Sequence, residues 1–264
     1  MFSPTAFFDL TGWEHQKLFS KVDQVWQVLP GLKTYLRANL RINLERFFPE
    51  EHFLTRLAVI FQGELLEKDL SLFPGEATKG AFKVYYKNQE LKGAIVLYGG
   101  VTVSGKDISI DEGSVVESGA FIQGPVIIGR QTEVRQGAYL RGGCLVGDGC
   151  VVGHTTEMKN SIMLPGAKAG HFAYIGDSIL GKNCNLGAGT KLANLKLIRT
   201  SIRIKGPDGI VDTGLRKLGV IMGDETETGC NCVTSPGTLL GPRSLVTPNK
   251  TVKAGYYPRQ SIIR

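Results

Sequence analysis

Residues 110–164 read IDEGSVVESGAFIQGPVIIGRQTEVRQGAYLRGGCLVGDGCVVGHTTEMKNSIML, and counting through them by six meets an apolar side chain at every step. The series is Ile110, Val116, Ile122, Ile128, Val134, Leu140, Val146, Val152, Met158 and Leu164. In a chain that is 42% hydrophobic, such a run arises by chance in one phase roughly twice in ten thousand trials. Three residues after many of these positions comes a glycine, as at Gly113, Gly119, Gly137, Gly143 and Gly149, so each short extended segment is followed by a place to turn. One apolar residue per six cannot form the stripe of an amphipathic helix, which needs 3.6 spacing. It suits a parallel β-helix, in which each hexad is one side of a triangular coil and the inward aliphatic stacks on its equivalents above and below.

The beat slips after Leu164 and resumes at Ile175, Leu180, Leu186, Leu192 and Ile198; a last register runs Met222, Thr228, Thr234, Leu240, Val246 and Val252. Three hexads per turn give about seven coils between roughly Gly99 and Gly255. Residues 199–218, RTSIRIKGPDGIVDTGLRKL, break the period and read as a loop projecting from the coil, where insertions in solenoids usually mark the binding face. The chain thus divides into a coil domain, 96–264, and an N-terminal helical or mixed region, 1–95. There Thr11-x-x-Glu14 has the form of a capping box, with Val22, Val25, Trp26 and Leu29 at helical spacing. Pro30-Gly31 separates these from a second helical candidate through Leu32, Leu36 and Leu40. The plainest expectation for this region is a cap over the open end of the solenoid.

Composition narrows the partners. The 31 Lys+Arg against 24 Asp+Glu leave a net charge of +7, which favours anionic small molecules; no basic stripe interleaved with aromatics suggests nucleic acid. No apolar run reaches 18 residues, and the opening MFSPTAFFDLTGWEH lacks a signal peptide's basic start and cleavage site, so the chain reads as soluble and cytoplasmic. Cys144, Cys150, Cys184, Cys230 and Cys232 are odd in number and irregularly spaced, which fits reduced core residues and no zinc site.

Eighteen residues per turn makes spacing into geometry. Arg141 and Lys159 should stand one above the other on the same outer face, about 4.8 Å apart. Two stacked cations suit a phosphate, or else form a solvated charged face balanced by Glu157 or Asp177. Histidine is scarce, four in the chain, yet His171 sits in AKAGHFAYIG within about a coil and a half of Glu157, Tyr174, Asn185 and Asn194. That set offers a base, a carboxylate and several neutral groups suited to a sugar.

The aliphatic-Gly hexads resemble those of left-handed β-helix acyltransferases. The stretch EMKNSIMLPGAKAGHFAYIGDSILGKNCNLGAGTKLAN, 157–194, resembles the acetyltransferase domain of the bifunctional glucosamine-1-phosphate acetyltransferase/N-acetylglucosamine-1-phosphate uridylyltransferase family. VDTGLRKLGVIMGD, 211–224, is similar to the archaeal-type sugar-1-phosphate nucleotidylyltransferases that carry such a domain. The resemblance implies an acetyl-CoA-dependent N-acetyltransferase acting on an amino-sugar 1-phosphate such as glucosamine 1-phosphate, with no metal. His171 would be the general base, oriented by Glu157. Arg141, Lys159 and Tyr174 would bind the sugar phosphate and Asn185 the sugar. Asn194 would lie beside the acetyl group, and the backbone N–H of Ala188 would hold the thioester oxyanion. Cys230 and Pro248 stand where the family has a serine and an alanine near the CoA arm, and Leu195-Lys196 replace its usual Tyr-Asp after Asn194. Relatives with this coil are trimers with sites between neighbouring prisms, so a homotrimer is expected, with Arg243, Lys250, Lys253 and Arg259 as candidates for the CoA phosphates.

Residues 1–95 hold no GxGTR-type loop and are too short for a nucleotidylyltransferase domain, so no nucleotidyl transfer is expected. A β-helical carbonic anhydrase would need three histidines around zinc, and only His154 and His171 lie in the coil. Transfer to a different sugar phosphate or nucleotide sugar, and a non-catalytic hexapeptide-repeat binding or assembly module, stay open as alternatives.

Overall fold

The computed structural model describes residues 2–49 and 51–264. It is mainly β, the parallel β-helix that the hexads imply. From Ile95 onward short strands repeat in threes and define three faces, each strand pairing in parallel with its equivalents one turn away. Face one begins with Ile95–Leu97, face two with Thr102–Ser104 and face three with Ile108–Ile110. The inward side chains, among them Ile110, Ile122, Ile128, Leu140, Val152 and Met158, form one continuous buried core. The coil has about nine turns rather than seven, because it starts before Gly99 and continues through Ile262–Ile263.

The slip in the hexad beat lies at Asn160, one corner earlier than the expected place. Val126 pairs with Cys144, and Cys144 pairs with Ser161, so the turn shortens by one residue. Gly142-Gly143 turns the corner between faces two and three on one level; on the next a single Asn160 in the left-handed region (φ 45°) does so. Met163 consequently takes the inward place, and Leu164 joins the packing outside face three. The expected loop at 199–218 is a β-hairpin, Arg203–Gly206 with Gly209–Asp212, and below it Ile179 pairs directly with Ile221 so that the coil continues unbroken.

The N-terminal region does more than cap. Leu44, Phe48, Leu54, Ala58 and Ile60 close the end of the coil core, with His52–Phe53 and Ala58–Phe61 pairing antiparallel to its first strands. A three-stranded sheet, Leu70–Phe73, Lys83–Tyr86 and Gln89–Glu90, packs with Val59, Val96 and Val115 on face one. Residues 2–40 lie along face three, where Phe2, Phe7, Trp26, Leu32 and Leu36 bury the outward residues Ile127, Leu145, Ile162, Ile179, Ile221 and Leu239. The second helical candidate forms an α-helix, Leu32–Ala38, whereas the first breaks into 3₁₀ turns at Glu14–Phe19 and Val25–Val28. Thr11 makes no capping bond, Glu14 pairs with Arg41 at 2.6 Å, and the capping box that forms is Gln24 with Gln27.

Candidate functional site

Face two carries the stacked cations. Tyr139, Glu157 and Tyr174 occupy consecutive levels at the first position of its strands, and Arg141 and Lys159 share the third position, about 7 Å across the face. Arg141 Nη1 donates to Glu157 Oε1 at 2.5 Å, a bond that raises the already high pKa of the guanidinium. Lys159 has no such partner. Among the described residues no carboxylate lies within ion-pair distance of it, and burial followed by the neighbouring Lys217 ammonium lowers its pKa. Lys217 is brought there by the hairpin, whose far end bridges Leu195 to Lys217 and donates Leu218 N to the Asn194 carbonyl at 3.0 Å. Arg141, Lys159 and Lys217 together have one ion-paired carboxylate among them, a surplus suited to a dianion. Lys217 falls outside the 18-residue spacing because the insertion precedes it, and no periodic reading could have found it.

Tyr174 lies across the same face. Its hydroxyl donates to Asn194 Oδ1 at 3.4 Å, and Asn194 Nδ2 donates to Asp177 Oδ2 at 2.5 Å. The ring needs glycine beneath it, since a Cβ on Gly176 would stand 2.6 Å from the Tyr174 hydroxyl and 2.7 Å from Asn194 Nδ2. Burial, with Glu157 and Asp177 nearby, pushes the phenol pKa up, so Tyr174 presents a neutral hydroxyl.

His171 stands on the edge between faces one and two, exposed and in register with His154 one level up. Below it the same edge carries Ala188, Cys230 and Pro248 in succession, tied by Gly189 N to His171 O, Asn231 N to Ala188 O and Asn249 N to Cys230 O. A glycine precedes His171, Ala188 and Cys230. A Cβ on Gly187 would strike the backbone of Gly229, so close stacking of the turns requires glycine there. The Ala188 N–H has no acceptor among the described residues. Beside this edge lies a cavity of about 370 Å³ on face one, lined by His171, Asn185, Ala188 and Cys230 and closed by Lys168, Arg135 and, from the N-terminal region, Glu76 and Thr78.

The expected residues therefore form two groups. His171, Asn185, Ala188, Cys230 and Pro248 share the edge and its cavity; Arg141, Glu157, Lys159, Tyr174 and Asn194 share face two. Within one chain, four of these residues lie apart from the groups expected beside them. Glu157 bonds Arg141 and makes no bond to His171 among the described residues. Asn194 is buried at the far corner of face two against Asp177, a face's width from His171. Arg243 lies on the corner between faces three and one, paired with Glu225 at 3.1 Å, and Lys253 on the corner between faces two and three. Both sit away from the Cys230–Pro248 edge because the coil's period carries them to other corners; Lys250 turns the corner with Pro248. Four of the five cysteines are core residues: Cys144, Cys150, Cys184 and Cys232 are buried, and burial pushes the first three thiols up to about 12, whereas Cys230 is exposed on the edge.

The family model described as the GMPPB C-terminal domain matches residues 122–262, more than half of the chain. The chain belongs to that family. It is 34% identical over 96 residues to the bifunctional sugar-1-phosphate nucleotidylyltransferase/acetyltransferase of Sulfurisphaera tokodaii, a match covering 36% of this chain and 24% of that protein. It is 40% identical over 93 residues to the bifunctional protein GlmU of Methanococcus maripaludis, covering 35% of this chain and 22% of that one. The chain thus spans less than a quarter of the length of these relatives. Among solved structures it is similar to UDP-N-acetylglucosamine acyltransferase from Campylobacter jejuni, at 15% identity and a TM-score of 0.37, covering 61% of this chain and 69% of that one.

Proposed function

We propose that the chain is an acetyl-CoA-dependent N-acetyltransferase for an amino-sugar 1-phosphate such as glucosamine 1-phosphate. The observation that carries this reading is the placement of chemistry about face two: a cationic patch on one side of the face, an exposed imidazole on its other edge, and below that imidazole an unpaired N–H and a track of small residues. The phosphate sits on Arg141, Lys159 and Lys217, and the Tyr174 hydroxyl meets the sugar beside it. The amine then faces His171, whose ring nitrogen takes its proton as the nitrogen attacks the thioester carbonyl. The Ala188 N–H receives the oxyanion of the tetrahedral intermediate. As that intermediate collapses, the C–S bond breaks, the departing sulfur takes the proton held by His171, and the thiol leaves along Ala188, Cys230 and Pro248, where the absence of bulky side chains leaves room for the donor's arm. Glu157 and Asn194 act as positioning residues, holding Arg141 and Tyr174.

Face two is uncovered and face one only partly covered, and a homotrimer packing on them would let Arg243 or Lys253 of another copy approach the donor's phosphates. The deciding experiment measures thiol release from acetyl-CoA with glucosamine 1-phosphate. Removing a general base costs about 10²–10⁴ in rate, so His171→Ala should lower kcat at least a hundredfold with KM little changed. Lys159→Ala should chiefly raise KM for the acceptor. Turnover indifferent to His171 would sink the mechanism.

A further inference from the structure

Above the cations face two changes character. Its first-position column runs Phe53, Thr102, Phe121, Tyr139, Glu157 and Tyr174 in continuous register. Phe121 and Tyr139 meet edge to face with centroids 5.3 Å apart, Tyr139 is 37% exposed, and the Arg141 guanidinium lies 5.6 Å from the Tyr139 ring centre. Beside them at the third position, Gln123 is exposed directly above Arg141. Aromatics on the outside of a coil do nothing for its core, and these two adjoin the cationic patch on the side away from His171. A sugar phosphate held by Arg141 and Lys159 with its amine toward His171 has its phosphate's free side facing these rings. Phe121 lies two levels above Lys159 and across the face from it, about 12 Å away, a distance that a second phosphate and a ribose can span. Any base so placed meets an aromatic face next to an amide able to donate and accept.

We propose that the acceptor is a nucleoside-diphosphate-linked amino sugar, with Phe121, Tyr139 and Gln123 forming the subsite for its nucleoside. This rests on the acetyl-transfer reading above and puts a nucleoside-diphosphate sugar in place of the free sugar 1-phosphate as its preferred acceptor. Stacking on one aromatic is worth about tenfold or more in affinity. The test compares UDP-glucosamine with glucosamine 1-phosphate as acceptors in the full chain and in its Phe121→Leu and Gln123→Ala variants, beside calorimetric titration with UDP, GDP and inorganic phosphate. UDP-glucosamine should have at least a tenfold higher kcat/KM. Phe121→Leu should remove most of that advantage, Gln123→Ala part of it, and both should leave glucosamine 1-phosphate turnover unchanged. UDP or GDP should bind at least tenfold more tightly than phosphate. If the monophosphate is the better acceptor and neither nucleotide binds more tightly than phosphate, the subsite is overturned while acetyl transfer stands. If no acceptor turns over but nucleotide binding persists and is lost in Phe121→Leu, the acetyl-transfer reading fails and the nucleoside subsite stands. A Phe121→Leu change that alters the oligomeric mass by light scattering without altering nucleotide binding would assign these rings to a contact between copies and overturn the proposal.

Discussion

Gly176 shows how much of the site depends on one missing methyl group. Its backbone φ is one that other residues adopt, so Gly176→Ala is sterically costly only through its Cβ, which would push against the Tyr174 hydroxyl and Asn194. The expected outcome is an intact fold with a melting temperature within a few degrees of wild type, and an acceptor KM raised about tenfold with kcat largely preserved; a kinetic titration in acceptor checks it. Asp111 gives a residue-scale prediction about pH. It is buried, with Arg41 3.7 Å away, and desolvation outweighs that attraction to raise its pKa from 3.8 to about 6. A carboxyl raised in this way holds its proton more tightly in the folded chain. Its contribution to stability is therefore fullest near and below pH 4 and falls as pH rises through 6. At pH 7 Asp111→Asn should stabilise the chain by on the order of 1–3 kcal/mol, with the advantage vanishing by pH 4 in urea melts. An equal advantage at both pH values would exclude the charge as its cause.

The strand hexad was the most legible element because a β-helix turns each inward position into a repeated demand for an aliphatic side chain. From Ile110 to Met158 that demand is met in sequence at every step and fills the core in the structure. Legibility failed where geometry is set by something other than the repeat. A one-residue shortening at Asn160 moved the inward place from Leu164 to Met163, and only the paired turn above shows it. Glu157 faces Arg141 because side chains on neighbouring levels meet directly, a contact that favours it over the imidazole round the corner. The 3₁₀ turns near Glu14 follow from docking on face three, which no local spacing encodes. Where the repeat turns polar, its cost can be measured. Thr234 occupies an inward position with no solvent exposure, and its hydroxyl has no hydrogen-bond partner among the described residues. Thr234→Val keeps the shape and removes the unsatisfied group, so it should stabilise the chain by about 1–2 kcal/mol. An unchanged or lower denaturation midpoint would mean that the hydroxyl is satisfied.

At the scale of the molecule, the three faces have different fates. Face three projects a row of aliphatic side chains outward, and residues 2–40 turn it into a second core in which Trp26 contacts Phe2 with ring centroids 5.7 Å apart. Face one is partly covered by the three-stranded sheet, and the connection between its first two strands supplies Glu76 and Thr78 to the cavity beside His171. Face two is left open for the cations and aromatics. The N-terminal region therefore sets which surfaces of a nearly symmetric prism can bind anything, although its sequence carries no repeat that announces this. Truncating a buried tryptophan costs about 3–5 kcal/mol, and Trp26 is 2% exposed. Trp26→Ala should accordingly loosen residues 2–40 from face three while the inward core of the coil keeps its own packing. Hydrogen exchange should then rise at Ile127, Leu145 and Ile162 and an apolar dye should bind, with protection at the inward Ile128, Val146 and Met163 retained. Loss of protection at both sets together would show instead that the cover and the coil unfold as one unit, and that the N-terminal region is required for the coil itself and not only for masking one face.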